Sequence, residues 1–547
     1  MRARFLRSGV AVVACLIGLM PATGAGASSG DPTNVRVTRD STPASYVRAD
    51  GGTDATMANC STNKRAQNEP AVAVDPHNPS VVTAGSNDYC AAVVNGDVWA
   101  GYYRSTDAGA SWQDSLVPGY PDDSSAAGLA SPAHGECGAA GDPTQSFDRD
   151  GRLFYGFICF NRAKPVNGST YVATYDQDGG HYLRTVLVAQ GSPAGQFSSG
   201  LFQDKINLAV DQSTGSQSGN VYVAWSRYSG RAANNVVLFS RSTDHGLTFS
   251  PPARVSPGLG EESFADLAVG PDGTVYLTYR NFAHQNSTSD TISVERSTDG
   301  GQSFSQPQLI AQFRPFDSNQ FSGNGGGDCG DGVFACPSGL TFSRFASLSA
   351  VTADRSGVHL VWNGELADGQ SKVFVRNSAD GSNWSAPATI DTNSRGHQYL
   401  PDIASADGVI TVVFYDSRAD AAYSPNLPPG DTADGRNSGG AVDTFVAQSS
   451  DGGTSWTETR ISNFSSNYNW ETHGSRMIPF WGDYIYVSAV HGGVNVTWTD
   501  SRDLVPGVDP RDPTATDGFD VLQCNASTLA SCNSQGGLDQ NIYGARL

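Results

Sequence analysis

Ser105-Thr-Asp107-Ala-Gly109-Ala-Ser-Trp112 recurs, nearly unchanged, along a chain of 547 residues. The other copies are Ser242-Thr-Asp244-His-Gly246-Leu-Thr-Phe249, Ser297-Thr-Asp299-Gly-Gly301-Gln-Ser-Phe304, Ser378-Ala-Asp380-Gly-Ser-Asn-Trp384 and Ser449-Ser-Asp451-Gly-Gly453-Thr-Ser-Trp456. The Asp380 copy is one residue shorter, and a worn copy is read at Asp176-x-Asp178-x-Gly180-x-x-Leu183. The octet has the chemistry of a tight hairpin. Its Asp carboxylate accepts backbone N–H groups of its own turn, and its Gly supplies a positive φ. The closing aromatic begins the next strand and packs beneath the turn. Asp107, Asp244, Asp299, Asp380 and Asp451 are therefore expected to be structural. A unit repeated this way is stacked along a line or arranged around an axis.

Working outward, each box is preceded by two apolar strands. The first strands are Glu69-Pro-Ala-Val-Ala-Val-Asp75, Asp142-Pro-Thr-Gln-Ser-Phe-Asp148, Asp204-Lys-Ile-Asn-Leu-Ala-Val-Asp211, Asp266-Leu-Ala-Val269, Ser347-Leu-Ser-Ala-Val351, Asp402-Ile-Ala-Ser405 and Asp483-Tyr-Ile-Tyr-Val487. Second strands such as Val221-Tyr-Val-Ala-Trp225, Val358-His-Leu-Val-Trp362 and Val494-Asn-Val-Thr-Trp498 are rich in β-branched and aromatic residues. Helical periodicity of useful length is absent beyond the first 27 residues.

The box and its spacing resemble the Asp-box (BNR) repeat of the sialidase-like β-propellers, and the resemblance covers nearly all of residues 28–547. It implies an all-β fold: a single β-propeller of four-stranded antiparallel blades. Counting first strands gives seven blades, with the six of true sialidases as the alternative. The last unit has no Asp box, so Asn34-Val-Arg-Val-Thr38 is expected to supply its missing strand and close the ring. Residues 28–60 are then the closing strand and lead-in, and 61–547 the blades.

Residues 1–27 read as an export signal: Arg2, Arg4 and Arg7, an apolar core from Val10 to Met20, then Ala25-Gly-Ala27. Cys15 lies inside the apolar run rather than after it, which argues against lipidation. The formal charge is −20, and loss of the three leader arginines makes the remainder more negative still. Such a surface argues against nucleic acid or anionic membranes as partners, and no later stretch reaches membrane-spanning length. A secreted monomer is expected. Cys60, Cys90, Cys137, Cys159, Cys329, Cys336, Cys524 and Cys532 form an even set suited to disulfides, with sequential pairing expected.

Six first strands open on a carboxylate: Glu69, Asp142, Asp204, Asp266, Asp402 and Asp483, with Ser347 breaking the series. In a propeller these would ring one mouth of the central channel. Second strands would return Arg227, Arg280, Arg418 and Arg502 to that same face, with the Asp boxes on the other. Paired carboxylates cleave glycosidic bonds as acid and base or nucleophile, and arginine forks grip an acidic sugar. The plainer reading is that each strand-initial Asp accepts a backbone N–H of the neighbouring blade, and that the repeated Asp416-Ser-Arg418 and Asp500-Ser-Arg502 make inter-blade salt bridges. No cofactor is required; Ca²⁺ is a candidate for the channel or the Asp-rich loops. The variable loops 113–138, 313–343, 419–440 and 503–539 are candidates for specificity.

Sialidases carry Arg-Ile-Pro at the first inner strand, where this chain has Asn68-Glu69-Pro70. Phe313-Arg-Pro315 is no substitute, since no inner strand follows it. For the family's Tyr/Glu pair the nearest stand-ins are Tyr415 or Tyr484 with Glu262. Two functions follow: an exported glycoside hydrolase acting on a sialate- or uronate-type glycan, or a non-catalytic propeller that binds an extracellular glycan or protein.

Overall fold

A computed structural model describes residues 32–92, 97–161, 167–192, 200–229, 235–258, 260–283, 289–316, 347–391, 393–430, 438–468, 481–504 and 539–547. The expected leader and Cys329, Cys336, Cys524 and Cys532 lie outside the described residues, as do most of the loops 313–343 and 503–539 and residues 431–437 of 419–440. The strands form five sheets of four and one of eight. The larger sheet is two antiparallel four-stranded halves joined by one parallel pair, Phe202 with Gly168. Every unit thus has the same order, numbered 1 to 7 here by first strands Gln67–Val74, Ala139–Phe147, Leu201–Val210, Glu262–Val269, Ser349–Asp354, Gln398–Ala406 and Tyr486–Val490. Each first strand packs against the next, and Tyr486–Val490 returns to Gln67–Val74, so the seven make a closed ring.

The fourth strand of unit 7 comes from the opposite end of the chain. Val35–Arg36 pairs antiparallel with Asn541–Arg546, with Val35 opposite Gly544. Val37 N donates to Ile542 O at 2.8 Å, and Thr38 Oγ1 donates to Asn541 Oδ1 at 2.8 Å. Apolar side chains fill the spaces between units. Phe154, Ile158 and Val172 of unit 2, for example, share one cluster with Ile206, Val223 and Trp225 of unit 3. Disulfides join Cys60 to Cys90 and Cys137 to Cys159, as sequential pairing anticipates. Among the described residues no helix is long and apolar enough to cross a membrane.

The boxes are hairpin turns. Asp107 Oδ1 accepts Ser105 Oγ at 2.7 Å and Ser111 N at 2.8 Å, while its Oδ2 accepts Ser111 Oγ at 2.6 Å. Asp244, Asp299 and Asp451 repeat this pattern, and in the shorter copy Asp380 takes Ser382 N and Asn383 N, both at 2.8 Å. These hydrogen bonds to the charged form hold the five carboxyls below their usual range. The residue before the box Ser then reaches the next unit's turn. Arg241 Nη1 donates to Gly300 O at 2.7 Å, Arg296 Nη1 to Asp380 O at 3.0 Å, and Asn377 Nδ2 to Gly453 O at 3.2 Å. The boxes are therefore latches between units as well as turns within them.

The worn copy is corrected by one residue. Tyr175 pairs with Leu153 as Ser105 pairs with Val82, which puts Gln177 in the box Asp place and Gly179 in the Gly place. Gln177, Asp178 and Gly179 have φ of 52°, 55° and 73°. Asp178 consequently stands where Ala108 and His245 stand in complete boxes.

Candidate active site at the mouth of the strand ring

Five first strands contain a β-bulge near their start, after Asn68, Gly141, Asp204, Ser263 and Tyr399. The next residue in each has a left-handed backbone: Glu69 at φ 54°, Asp142 at 51°, Lys205 at 52°, Phe264 at 57° and Leu400 at 49°. Three residues beyond Phe264, Leu267 N donates to Asn207 Oδ1 of unit 3 at 3.1 Å. Val351 N donates likewise to Asp266 Oδ2 at 2.7 Å, and Val487 N to Asp402 Oδ2 at 2.8 Å. Counting back three places Leu348 and Tyr484 at the same level. One ring therefore reads Glu69, Asp142, Lys205, Phe264, Leu348, Leu400, Tyr484. It is polar across units 7, 1, 2 and 3 and apolar across units 4, 5 and 6.

This replaces the single carboxylate ring expected from sequence. The six carboxylates occupy three different levels, two at each: Asp204 and Asp483 one residue before the bulge position, Glu69 and Asp142 on it, Asp266 and Asp402 two residues beyond. A bulge inserts one unpaired residue near the start of a strand, so aligning strands by their first carboxylate joins different levels. Asp204 is half-buried, and its Oδ1 accepts the N–H of Lys205 at 2.9 Å.

Lys205 is the centre of the polar half and was missed from sequence. The available signal was a cation immediately before the mostly apolar run Ile206-Asn-Leu-Ala-Val210. Its Nζ lies 2.5 Å from Asp483 Oδ2 and 3.4 Å from Asp142 Oδ2, 5.2 Å from the Tyr484 ring centroid and 6.0 Å from that of Phe264. Burial opposes the charge, but the two carboxylates outweigh it and raise the Lys205 pKa. Tyr484 OH donates to Asp142 Oδ2 at 3.3 Å. Burial first, and the Asp142 charge next, raise the Tyr484 pKa. Glu69 is held by Asp483 N at 3.0 Å and by a short bond from Asn87 Nδ2, and Asn87 Oδ1 takes the N–H of Asp142 at 2.8 Å.

Asp266 and Asp402 line two cavities at once. One is bounded by Lys205, Phe264, Leu348, Leu400 and Tyr484; the other opens beyond Val269, Ala353 and Ala489 towards the box face. Asn207 and Tyr486 also line both, so these four residues stand between the two cavities. Burial pushes Asp266 up to about 7, and burial together with the Asp266 charge pushes Asp402 well above the usual range.

Three of the four expected arginines are committed elsewhere, which corrects the anticipated acidic-sugar grip. Arg280, almost fully buried, donates to Asp290 at 2.5 Å and to Ser347 O at 3.1 Å. Arg418 Nη2 is shared among Asp391, Asp416 and Glu458, and Arg502 grips Asp500 and stacks 4.0 Å from the Tyr543 ring centroid. Both Asp-Ser-Arg repeats are therefore salt bridges, closed within one unit between residues two apart rather than only between units. Arg227 is half-buried, and its Nε has no hydrogen-bond partner among the described residues. Of the stand-ins for a Tyr/Glu pair, Tyr415 OH takes Thr499 N at 3.0 Å and Glu262 takes Gly258 N at 2.9 Å.

No family model matches the chain, and no curated protein matches it. Solved structures do. A sialidase from a Hadza microbial source aligns at 13% identity over 77% of this chain and 71% of its own, with a TM-score of 0.40. An α-L-arabinanase of Penicillium chrysogenum, complexed with arabinobiose, aligns at 14% identity over 76% and 98%, with a TM-score of 0.42. An α-L-arabinofuranosidase of Fusarium graminearum aligns at 13% identity over 77% and 99%, with a TM-score of 0.43. Likeness at this level concerns the course of the chain and transfers no residue role.

Proposed function

We propose that the chain is an extracellular seven-bladed β-propeller that hydrolyses glycosidic bonds at the mouth of its strand ring. The observation that carries this reading is the hydrogen bond between Tyr484 OH and Asp142 Oδ2, beside Lys205 and facing an apolar half-ring. In it Asp142 is the base that takes the phenolic proton as Tyr484 attacks the anomeric carbon. Lys205 stabilises the Asp142 carboxylate before the transfer, and Asp266 or Asp402, kept protonated by burial, is the acid available to the leaving oxygen. Phe264, Leu348 and Leu400 offer apolar surface to a sugar ring, as glycan sites require alongside a few directed polar groups. Three carboxylates set against one ammonium make a neutral glycan the better substrate for this mouth. An acidic sugar finds only Arg227 among the named arginines.

A covalent intermediate on Tyr484 implies retention of anomeric configuration. Incubation with sialosides, uronate-containing glycans and neutral glycosides, read by mass spectrometry and NMR, should release a sugar with retained configuration. Tyr484→Phe and Asp142→Asn should each lower kcat by about 100-fold or more, while Glu262→Gln leaves it within a few-fold. Inversion, or full activity in Tyr484→Phe, would discard the assignment. The second reading, a glycan-binding propeller without turnover, is favoured by the backbone N–H groups already occupying Asp266, Asp402 and Glu69. Saturable glycan binding with no product from the whole panel would select it.

A further inference from the structure

Asp75 directly follows the first strand of unit 1, on the box face and away from Lys205. Asp75 is fully buried, and its Oδ1 accepts His77 N at 2.8 Å. Its Oδ2 is buried with no hydrogen-bond partner among the described residues. A ring nitrogen of His77, a carboxylate oxygen of Asp178 from the unit 2 hairpin and a carboxylate oxygen of Asp75 all lie within 4.8 Å of one another. The space between the carboxylates is open because residue 151 is glycine. A Cβ built there would sit 2.5 Å from Asp178 Oδ1 and 3.2 Å from Asp75 Oδ2.

The same junction one unit on provides an internal control. Asp148 takes the place of Asp75 there, and His245 takes the place of Asp178, with His245 Nδ1 3.9 Å from Asp148 Oδ2. Asp148 Oδ2 likewise lacks a hydrogen-bond partner among the described residues, but two basic groups meet it, the His245 ring and Arg152 Nη1 at 3.7 Å. Between units 1 and 2 a second carboxylate meets Asp75 instead, and neither acid has an ion pair among the described residues. Arg104, the nearby latch residue, donates Nε to the backbone carbonyl of Asp178 at 2.8 Å. Burial, with the Asp178 charge adding to it, raises Asp75 to about 6. A divalent cation would resolve the repulsion, fill the unpartnered lone pairs and staple the two units.

We propose that Asp75, His77 and Asp178 form a divalent metal site joining units 1 and 2, with Zn²⁺ as its occupant. Two carboxylates with one imidazole are a borderline donor set that suits Zn²⁺ better than the all-oxygen set Ca²⁺ takes. His77 is exposed, which leaves the site an entry path.

The test is calorimetric titration of chelator-treated full-length protein with ZnCl₂, paired with thermal unfolding with and without the metal. One equivalent should bind and raise the Tm by a few degrees. His77→Ala and Asp178→Asn should each abolish that binding and that shift. In metal-free buffer Asp178→Asn should melt no lower than wild type, since it removes a repulsion; a carboxylate serving only as a structural acceptor would make it melt lower. Absence of saturable Zn²⁺ binding, or binding unchanged in both variants, overturns the site. Saturable CaCl₂ binding through the same residues with none for Zn²⁺ overturns the choice of metal.

Discussion

At the scale of single residues, the mouth owes its character to charges placed where the fold offers little water. Lys205 is stable as a cation because Asp142 and Asp483 flank it; removing Lys205 would leave two buried carboxylates facing one another, whereas removing one carboxylate leaves the ammonium paired with the other. Asp266 is different, because its only compensation comes from hydrogen bonds with Val351 N and neighbouring groups. Its folded pKa of about 7 lies above the ordinary Asp value of about 4. Below about pH 4 folded and unfolded chains both carry this proton. From there to about pH 7 the unfolded chain gives it up while the folded one keeps it, so stability falls as pH rises through that window. Asp266→Asn keeps an acceptor for Val351 and removes the titration. Urea unfolding should find the variant and wild type equally stable near pH 4. The variant should be more stable by about 1–4 kcal/mol at pH 8.

At the scale of elements, the repeated turn sets how units meet. In the box of unit 4, Gly300 and Gly301 have φ of 68° and 77°, so either alanine carries a left-handed backbone. Their surroundings separate them. A Cβ on Gly300 meets the end of the flexible Gln217 side chain, whereas one on Gly301 would lie 2.7 Å from the Phe239 ring of unit 3. Gly300→Ala should cost about 1 kcal/mol, and Gly301→Ala about 2–4 kcal/mol because the inter-unit contact must also move. Chemical denaturation of the two variants measures the difference directly. This element was legible in the sequence because the turn needs Asp, Gly and an aromatic at fixed offsets. Strand starts were not. No residue type marks which position is bulged, so strand-initial carboxylates read as equivalent although Asp266 and Asp402 stand two residues further along than Glu69. Nor could spacing alone reveal that Arg418 and Arg502 spend their guanidinium groups on local carboxylates, or that Tyr484 meets Asp142 across a gap of more than three hundred residues.

At the scale of the whole molecule, closure depends on a strand that lies far in sequence from the sheet it completes. Without Val35–Arg36, Asn541–Arg546 would become an exposed edge, with backbone groups free to pair with another chain. The loss would extend beyond the two strand residues, because buried Val37 and the side chains of Arg36 and Thr38 also bond to the last strand and its approach. Removing everything before Arg39 should therefore lower the Tm and produce oligomers on size exclusion. That result alone would not separate strand closure from general damage at one end, but geometry supplies the control. With Val35 opposite Gly544 and Arg36 opposite Tyr543, the antiparallel register continues outward to bring Pro32 near Leu547. A turn of about two to four residues can span such a hairpin. A chain beginning at Arg39 and carrying residues 32–38 after Leu547 through such a turn should regain the Tm to within a few degrees and elute as the parent does. If the transplanted strand failed to restore either property while the parent remained stable, the N-terminal segment would be holding the ring by something other than completing its last sheet.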